Sequence, residues 1–189
     1  MAIRIYIDQG HNPAGFNTGA EGNGYFEQDI TYRVGLLLFD LFAEDKNFQP
    51  MLSRPTESTV LGTSNNDSVR VRVDRANAFG ADLFISIHTN AAEYPSATGT
   101  EALVYSREST VAREVAQKIL EQIHLKTGLR NRGVVYRPGL YVLRKTKMPA
   151  VLVELGFITN PVDARLMVED PELFAEGIYQ GILSYYGLL

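Results

Sequence analysis

A three-layer α/β/α domain around a mainly parallel sheet is what this sequence predicts, and three observations predict it. Short apolar runs alternate with amphipathic stretches of helical length, the pattern of strand–helix crossover units. Two runs, "LFISI" and "AVLV", are almost wholly apolar, as central strands covered on both faces should be. Polar residues capable of chemistry stand at the ends of these runs, where open α/β sheets bind ligands.

The elements follow in order. Residues 3–7, "IRIYI", read as a first strand, succeeded by a long glycine-rich loop that needs a reason to be ordered. From Gln28 to about Glu44, Ile30, Val34, Leu37, Leu38 and Leu41 recur at helical spacing. A second strand covers Gln49–Leu52 and delivers Ser53 and Arg54, and residues 55–66 read as polar loop. A helix from about Asp67 to Phe79 carries Val69, Val73 and Ala76 on one side and several arginines on the other. Strands follow at 82–87 and 99–105, then a helix over 110–126 that Ser109 or Thr110 can cap. Residues 128–147 read as less regular. A buried strand ends near Glu154, and Pro161 opens a C-terminal helical part broken at Pro171.

Length and composition narrow the class. At 189 residues, with no repeat, linker or low-complexity tract, one domain spanning 1–189 is expected. A net charge of −4 with no basic stripe speaks against a general nucleic-acid binder, and the arginines at 130, 132 and 137 make only a local patch. The absence of cysteine excludes disulfides, thiol catalysis and thiolate metal sites. No apolar run is long enough to span a bilayer, so no membrane insertion is expected.

Three separate segments place polar residues at strand ends: Asp8 and His11, then His88 and Asn90, then Glu154. The chain has three histidines, and His124, near the end of a helix, suits an ordinary surface role. Two imidazoles and a carboxylate form the ligand set of several hydrolytic zinc sites, which keep one position open. His11 and His88 supply the imidazoles, whereas Asp8, Glu21, Glu27, Glu101 and Glu154 all remain candidate carboxylates on spacing alone. The same histidines could equally be core residues satisfied by backbone hydrogen bonds. Nucleotide binding is disfavoured, because "DQGHNPAG" lacks the dinucleotide fingerprint and no GxxxxGK[ST] follows a strand.

Longer blocks carry a resemblance. "IYIDQGH", "GNGYFEQD", "VRVDRANAFGADLFISIHTNAA", "GTEALVY" and "MPAVLVELGFITNPVDARLM" resemble, collinearly over about residues 3–185, the zinc-dependent N-acetylmuramoyl-L-alanine amidases of the Amidase_3 family. The resemblance implies a six-stranded, mainly parallel sheet and one catalytic Zn²⁺ held by His11, Glu27 and His88. It also implies Glu154 as general base and acid, and peptidoglycan or muropeptides as substrate, cleaved between N-acetylmuramic acid and L-alanine. Asp8, Asn90 and Arg144 are further candidates for supporting the metal ligands or binding substrate, and Arg54 and Arg75 for holding loops.

Alternatives to the amidase are a different zinc peptidase acting on stem peptides, or a peptidoglycan-binding protein without catalysis. The chain departs from the family's usual "DPGHG" in reading "DQGHN", where Gln9 frees a φ angle and restores an N–H donor. The interval between His88 and Gly99 leaves no space for the occluding helical insertion of some regulated relatives, and no obligate protein partner is expected. No signal segment is visible at the N-terminus. Action on the bacterial cell wall is therefore expected to follow release by lysis or through a pore, as for an endolysin or autolysin, or the chain to be an excised domain.

Overall fold

Alternation along the strands builds two cores, one on each side of a single sheet. The computed structural model describes residues 1–189. Ile5 and Ile7 of β1 (Ile3–Gln9), Ile85 and Ile87 of β5 (Leu83–Asn90), and Val151 and Val153 of β8 (Ala150–Phe157) belong to the larger core. The intervening Tyr6, Phe84 and Leu152 belong to the smaller one on the opposite face.

The larger core is covered by α1 (Glu27–Glu44), α3 (Thr110–Thr127) and α6 (Pro171–Tyr186). The smaller is covered by α2 (Asn65–Phe79) and the short α4 (Tyr141–Lys145). The expected three layers are present. The remaining elements are β2 (Glu21–Gly22), β3 (Tyr25–Phe26), β4 (Phe48–Leu52), β6 (Thr100–Val104), β7 (Asn131–Tyr136) and α5 (Pro161–Glu169).

The six-stranded sheet has the order β4-β1-β5-β8-β6-β7. Strands β4, β1, β5 and β8 are parallel, whereas β6 pairs antiparallel with β8 and carries β7 parallel to itself. The ends of β1, β5 and β8 therefore share one edge of the sheet with the beginnings of β6 and β7.

Two pieces of regular structure go beyond the sequence reading. The glycine-rich loop contains the β2–β3 hairpin, which leads directly into α1. The region read as less regular contains β7 and α4; β7 is a partly exposed edge strand interrupted by Gly133, so it lacks the apolar run of a central strand.

Helix starts follow their caps. The Ser64 side chain accepts from the Asp67 N–H, and Gly80 ends α2 in the left-handed region. Asn160 caps α5 with Pro161 in its first turn. Ser109 occupies the N-cap of α3, but its side chain makes no capping hydrogen bond.

Candidate metal centre

The loop after β1, the first turn of α1 and the end of β5 meet at the shared sheet edge. There His11, Glu27 and His88 each offer a ligand atom, all within 4.8 Å of one another. His11 Nε2 lies 3.2 Å from Glu27 Oε2, and His88 Nδ1 lies 3.1 Å from Glu27 Oε1. His11 adopts φ 68°, a left-handed conformation uncommon outside glycine, which turns its ring toward the other two. On the ring's far side Nδ1 is 3.3 Å from the Asn17 carbonyl, an arrangement that keeps Nε2 available as a ligand.

Glu27 is held from both directions. Its Oε2 accepts from the Ala20 N–H at 2.8 Å and its Oε1 from the Thr89 N–H at 2.9 Å. Burial alone would raise its pKa, but hydrogen bonds from His11 and His88, and their charges, hold the carboxyl well below the usual range. Two glycines make this packing possible. A Cβ on Gly10 would meet the His88 imidazole at 2.6 Å, and one on Gly19 would meet the Glu27 side chain at 2.6 Å.

Glu154 stands directly across the sheet from His88 on β8, and Glu101 on β6 stands across from Glu154. Paired residues share a face, so the three side chains form a row along the edge. Glu154 Oε2 is buried and has no hydrogen-bond partner. Burial, and then the charges of Glu27 and Glu101, push its carboxyl up to about 8.

The other expected site residues lie around this row. Asp8 is buried and makes no hydrogen bond to the His11 ring; its carboxylate accepts from Arg72 Nη1 at 2.6 Å and from Ser86 Oγ at 2.7 Å. Burial would raise Asp8, yet the charge and hydrogen bond of Arg72, with Ser86, keep it low. Asn90 donates to Glu101 Oε1 at 2.9 Å, and Arg132 donates to the other Glu101 oxygen at 3.2 Å. The register of β7 shifts at Arg132, a bulge that re-aims its guanidinium toward Glu101.

Arg144 is not brought into the cluster. It is exposed on α4, its guanidinium 5.9 Å from the Tyr141 ring, and it lines a separate cavity with Tyr105, Ser109 and Thr110. His124 is also remote, with Nδ1 2.8 Å from the Leu129 carbonyl past the end of α3. Arg54 holds loops, donating to the Gln28 and Glu57 carbonyls, and Arg75 reaches the Ser53 carbonyl.

Arg72 is the residue the sequence reading passed over. A signal was available: Arg72 interrupts the apolar stripe of Val69, Val73 and Ala76, where an arginine has no place without buried partners. Next to the imidazoles a cavity of about 120 Å³ opens between α2 and α4, lined by Val69, Leu140, Tyr141, Val142 and Leu152.

A sheet-edge site with two imidazoles, one carboxylate ligand and a second carboxylate facing them defines the class of metal-dependent hydrolases. The donor set fits a zinc ion, because both nitrogens and a carboxylate oxygen converge while Glu154 keeps an oxygen unpartnered beside them. Comparison with known proteins narrows the class. Residues 5–184 match the Amidase_3 family, described as N-acetylmuramoyl-L-alanine amidase, and the chain belongs to that family.

The chain is 38% identical to YqiI of Bacillus subtilis (strain 168), over 96% of this chain and 84% of YqiI. It is 33% identical to the B. subtilis N-acetylmuramoyl-L-alanine amidase LytC, over 96% of this chain but 35% of LytC, so it spans about a third of that relative. An N-acetylmuramoyl-L-alanine amidase structure from Clostridium difficile 630 superimposes with a TM-score of 0.88 at 31% identity, covering 98% of this chain and 97% of the other.

Proposed function

We propose that this chain hydrolyses the amide joining N-acetylmuramic acid to the L-alanine of the peptidoglycan stem peptide. In this reading His11, Glu27 and His88 hold one zinc ion, and Glu154 carries the proton. Family membership supports the reaction class. The observation that carries the assignment of roles is the unpartnered, buried Oε2 of Glu154 opposite His88.

Zinc held by these ligands supplies Lewis acidity, which polarises a carbonyl oxygen and makes water a better acid near neutral pH. The chain's own residues account for the rest. Glu27 is fixed by the Ala20 and Thr89 N–H groups, so the ligand cluster is built before substrate arrives. Glu154 takes a proton from water at Oε2 as the oxygen attacks the carbonyl carbon. The same proton passes to the amide nitrogen as the carbon–nitrogen bond breaks. The products are a lactyl carboxylate and a stem peptide with a free L-alanine amine.

The raised Glu154 pKa comes from burial and from the neighbouring Glu27 and Glu101 carboxylates. Positive charge among the ligands favours the ionised carboxylate, so Glu154 becomes a base when the centre is loaded. The cell wall is then the place of action, in keeping with relatives described as a cell wall amidase of Bacillus anthracis and an endolysin of Bacillus phage SPP1. No helix of the chain is long and apolar enough to cross a membrane.

Mass spectrometry of products from purified muropeptides, with added zinc and in parallel with a chelator, tests the reading. Zinc-dependent release of intact stem peptides beginning with L-alanine is the expected result. Cleavage within the peptide would assign a different zinc peptidase. Binding without any cleavage at full zinc occupancy would assign a non-catalytic role.

A further inference from the structure

We infer that Arg72 is a positioning residue that sets zinc affinity by clamping the His11 backbone, an inference that rests on the ligand set proposed above. The Arg72 guanidinium is 2% exposed and lies under the loop that leaves β1. Its Nη1 donates to the Gln9 carbonyl at 2.5 Å and to Asp8 Oδ1 at 2.6 Å, while Nη2 donates to the His11 carbonyl at 2.5 Å. One planar cation therefore ties the carbonyls on both sides of Gly10 to a buried carboxylate.

The clamp has a conformational task. His11 sits at φ 68°, where a residue with a Cβ is disfavoured, and such a conformation persists only when its surroundings impose it. The same loop is restrained beyond His11 by Asn12, whose side chain donates to the Leu61 carbonyl and accepts from the Leu61 N–H, both at 3.1 Å. Asp8 is locked in turn by Ser86 on the neighbouring strand. The chain of contacts runs from β5 through Asp8 and Arg72 to the His11 carbonyl, and it makes no hydrogen bond to the three ligand side chains. Without it, His11 must be drawn into place by the metal, at the cost of affinity.

The test compares zinc dissociation constants by competition with a chromophoric chelator for wild type, Arg72→Lys and Asp8→Asn, with surface Arg70→Lys as control. Lysine keeps the charge but cannot bridge two carbonyls and a carboxylate in one plane. Arg72→Lys is expected to bind zinc ~10–100-fold more weakly, the size usual for outer partners of metal ligands. Asp8→Asn should show a smaller loss in the same direction, and Arg70→Lys none. With zinc raised to saturation, kcat of Arg72→Lys should return to within a few-fold of wild type, because Glu154 is untouched.

Circular dichroism and thermal melting establish that each variant is folded. A folded Arg72→Lys with wild-type zinc affinity and only a lower Tm would overturn the inference, leaving Arg72 a purely structural ion pair. If Arg72→Lys does not fold, unchanged zinc affinity in folded Asp8→Asn overturns it equally. Failure of the ligand assignment reads differently, since His88→Ala would then retain zinc.

Discussion

Glu154 is the least satisfied carboxylate of the candidate site. It is the carboxylate with an orphaned buried oxygen, flanked by Glu27 and Glu101, and its pKa moves from the ordinary 4.5 to about 8. Glu154→Gln keeps the shape and leaves all three ligands in place, so zinc content should be unchanged while kcat falls by ~10²–10⁴-fold. Retained turnover would remove Glu154 from the mechanism. The shift also fixes a stability difference in the metal-free protein. A folded-state pKa above the unfolded one means that the folded state holds the proton more tightly. That stabilising contribution is complete below about 4.5 and is lost as pH rises through about 8. Glutamine does not titrate. In chelator, the variant should therefore melt near wild type at pH 4 and progressively above it toward pH 9. A pH-independent gap would show that the carboxylate ionises there without penalty.

At the scale of elements, close approach is what assembles the centre. Gly10 lies against His88, and Gly19 against Glu27. Gly10→Ala and Gly19→Ala should each weaken zinc binding, measured by chelator competition, because the added methyl meets a ligand side chain. A third glycine separates local from global effects. On α6, a Cβ at Gly181 would meet Ile119 Cα of α3 at 2.5 Å, between two helices that carry none of the candidate ligands. Gly181→Ala should lower stability by ~1–3 kcal/mol in denaturant titrations and leave zinc affinity alone. These contacts also mark where sequence reading stops. The apolar runs at 83–87 and 150–153 announced central strands, and helical spacing announced α1 and α2, because burial on one or both faces writes a period into the chain. Strand β7 and helix α4 wrote no such period: one is a bulged, half-exposed edge and the other spans five residues. Among the site residues, His11 and His88 stood out by residue type and position, while the choice of Glu27 over four other carboxylates came from family resemblance. Arg72 was hidden because its partners are main-chain carbonyls and Asp8, which sequence spacing does not connect.

Across the whole molecule, the ligand cluster ties together three segments distant in the chain: the loop after β1, the start of α1 and the end of β5. The site also sits where the sheet changes direction, so residues from parallel β5 and β8 face the beginning of antiparallel β6. On the ligand set proposed above, an ion would grip all three segments of the folded chain and find no comparable site in the unfolded one. Folding and metal binding are thus linked, and zinc at ~100 times its Kd should add ~2.7 kcal/mol of stability. For a domain of this length that corresponds to roughly 5–10 °C in Tm. The increment should vanish in His88→Ala, persist in Glu154→Gln, and be absent with magnesium, whose preference for oxygen ligands this donor set does not meet. Because bound ligands must be deprotonated, the zinc-induced shift should also shrink as pH falls. Melting curves with and without zinc, taken from pH 5 to pH 8, distinguish an ion bound only by the folded chain from one that the unfolded chain binds as well. Equal melting temperatures at full zinc occupancy would show that folded and unfolded chains bind the ion equally, so that the three assembled segments do not form its site.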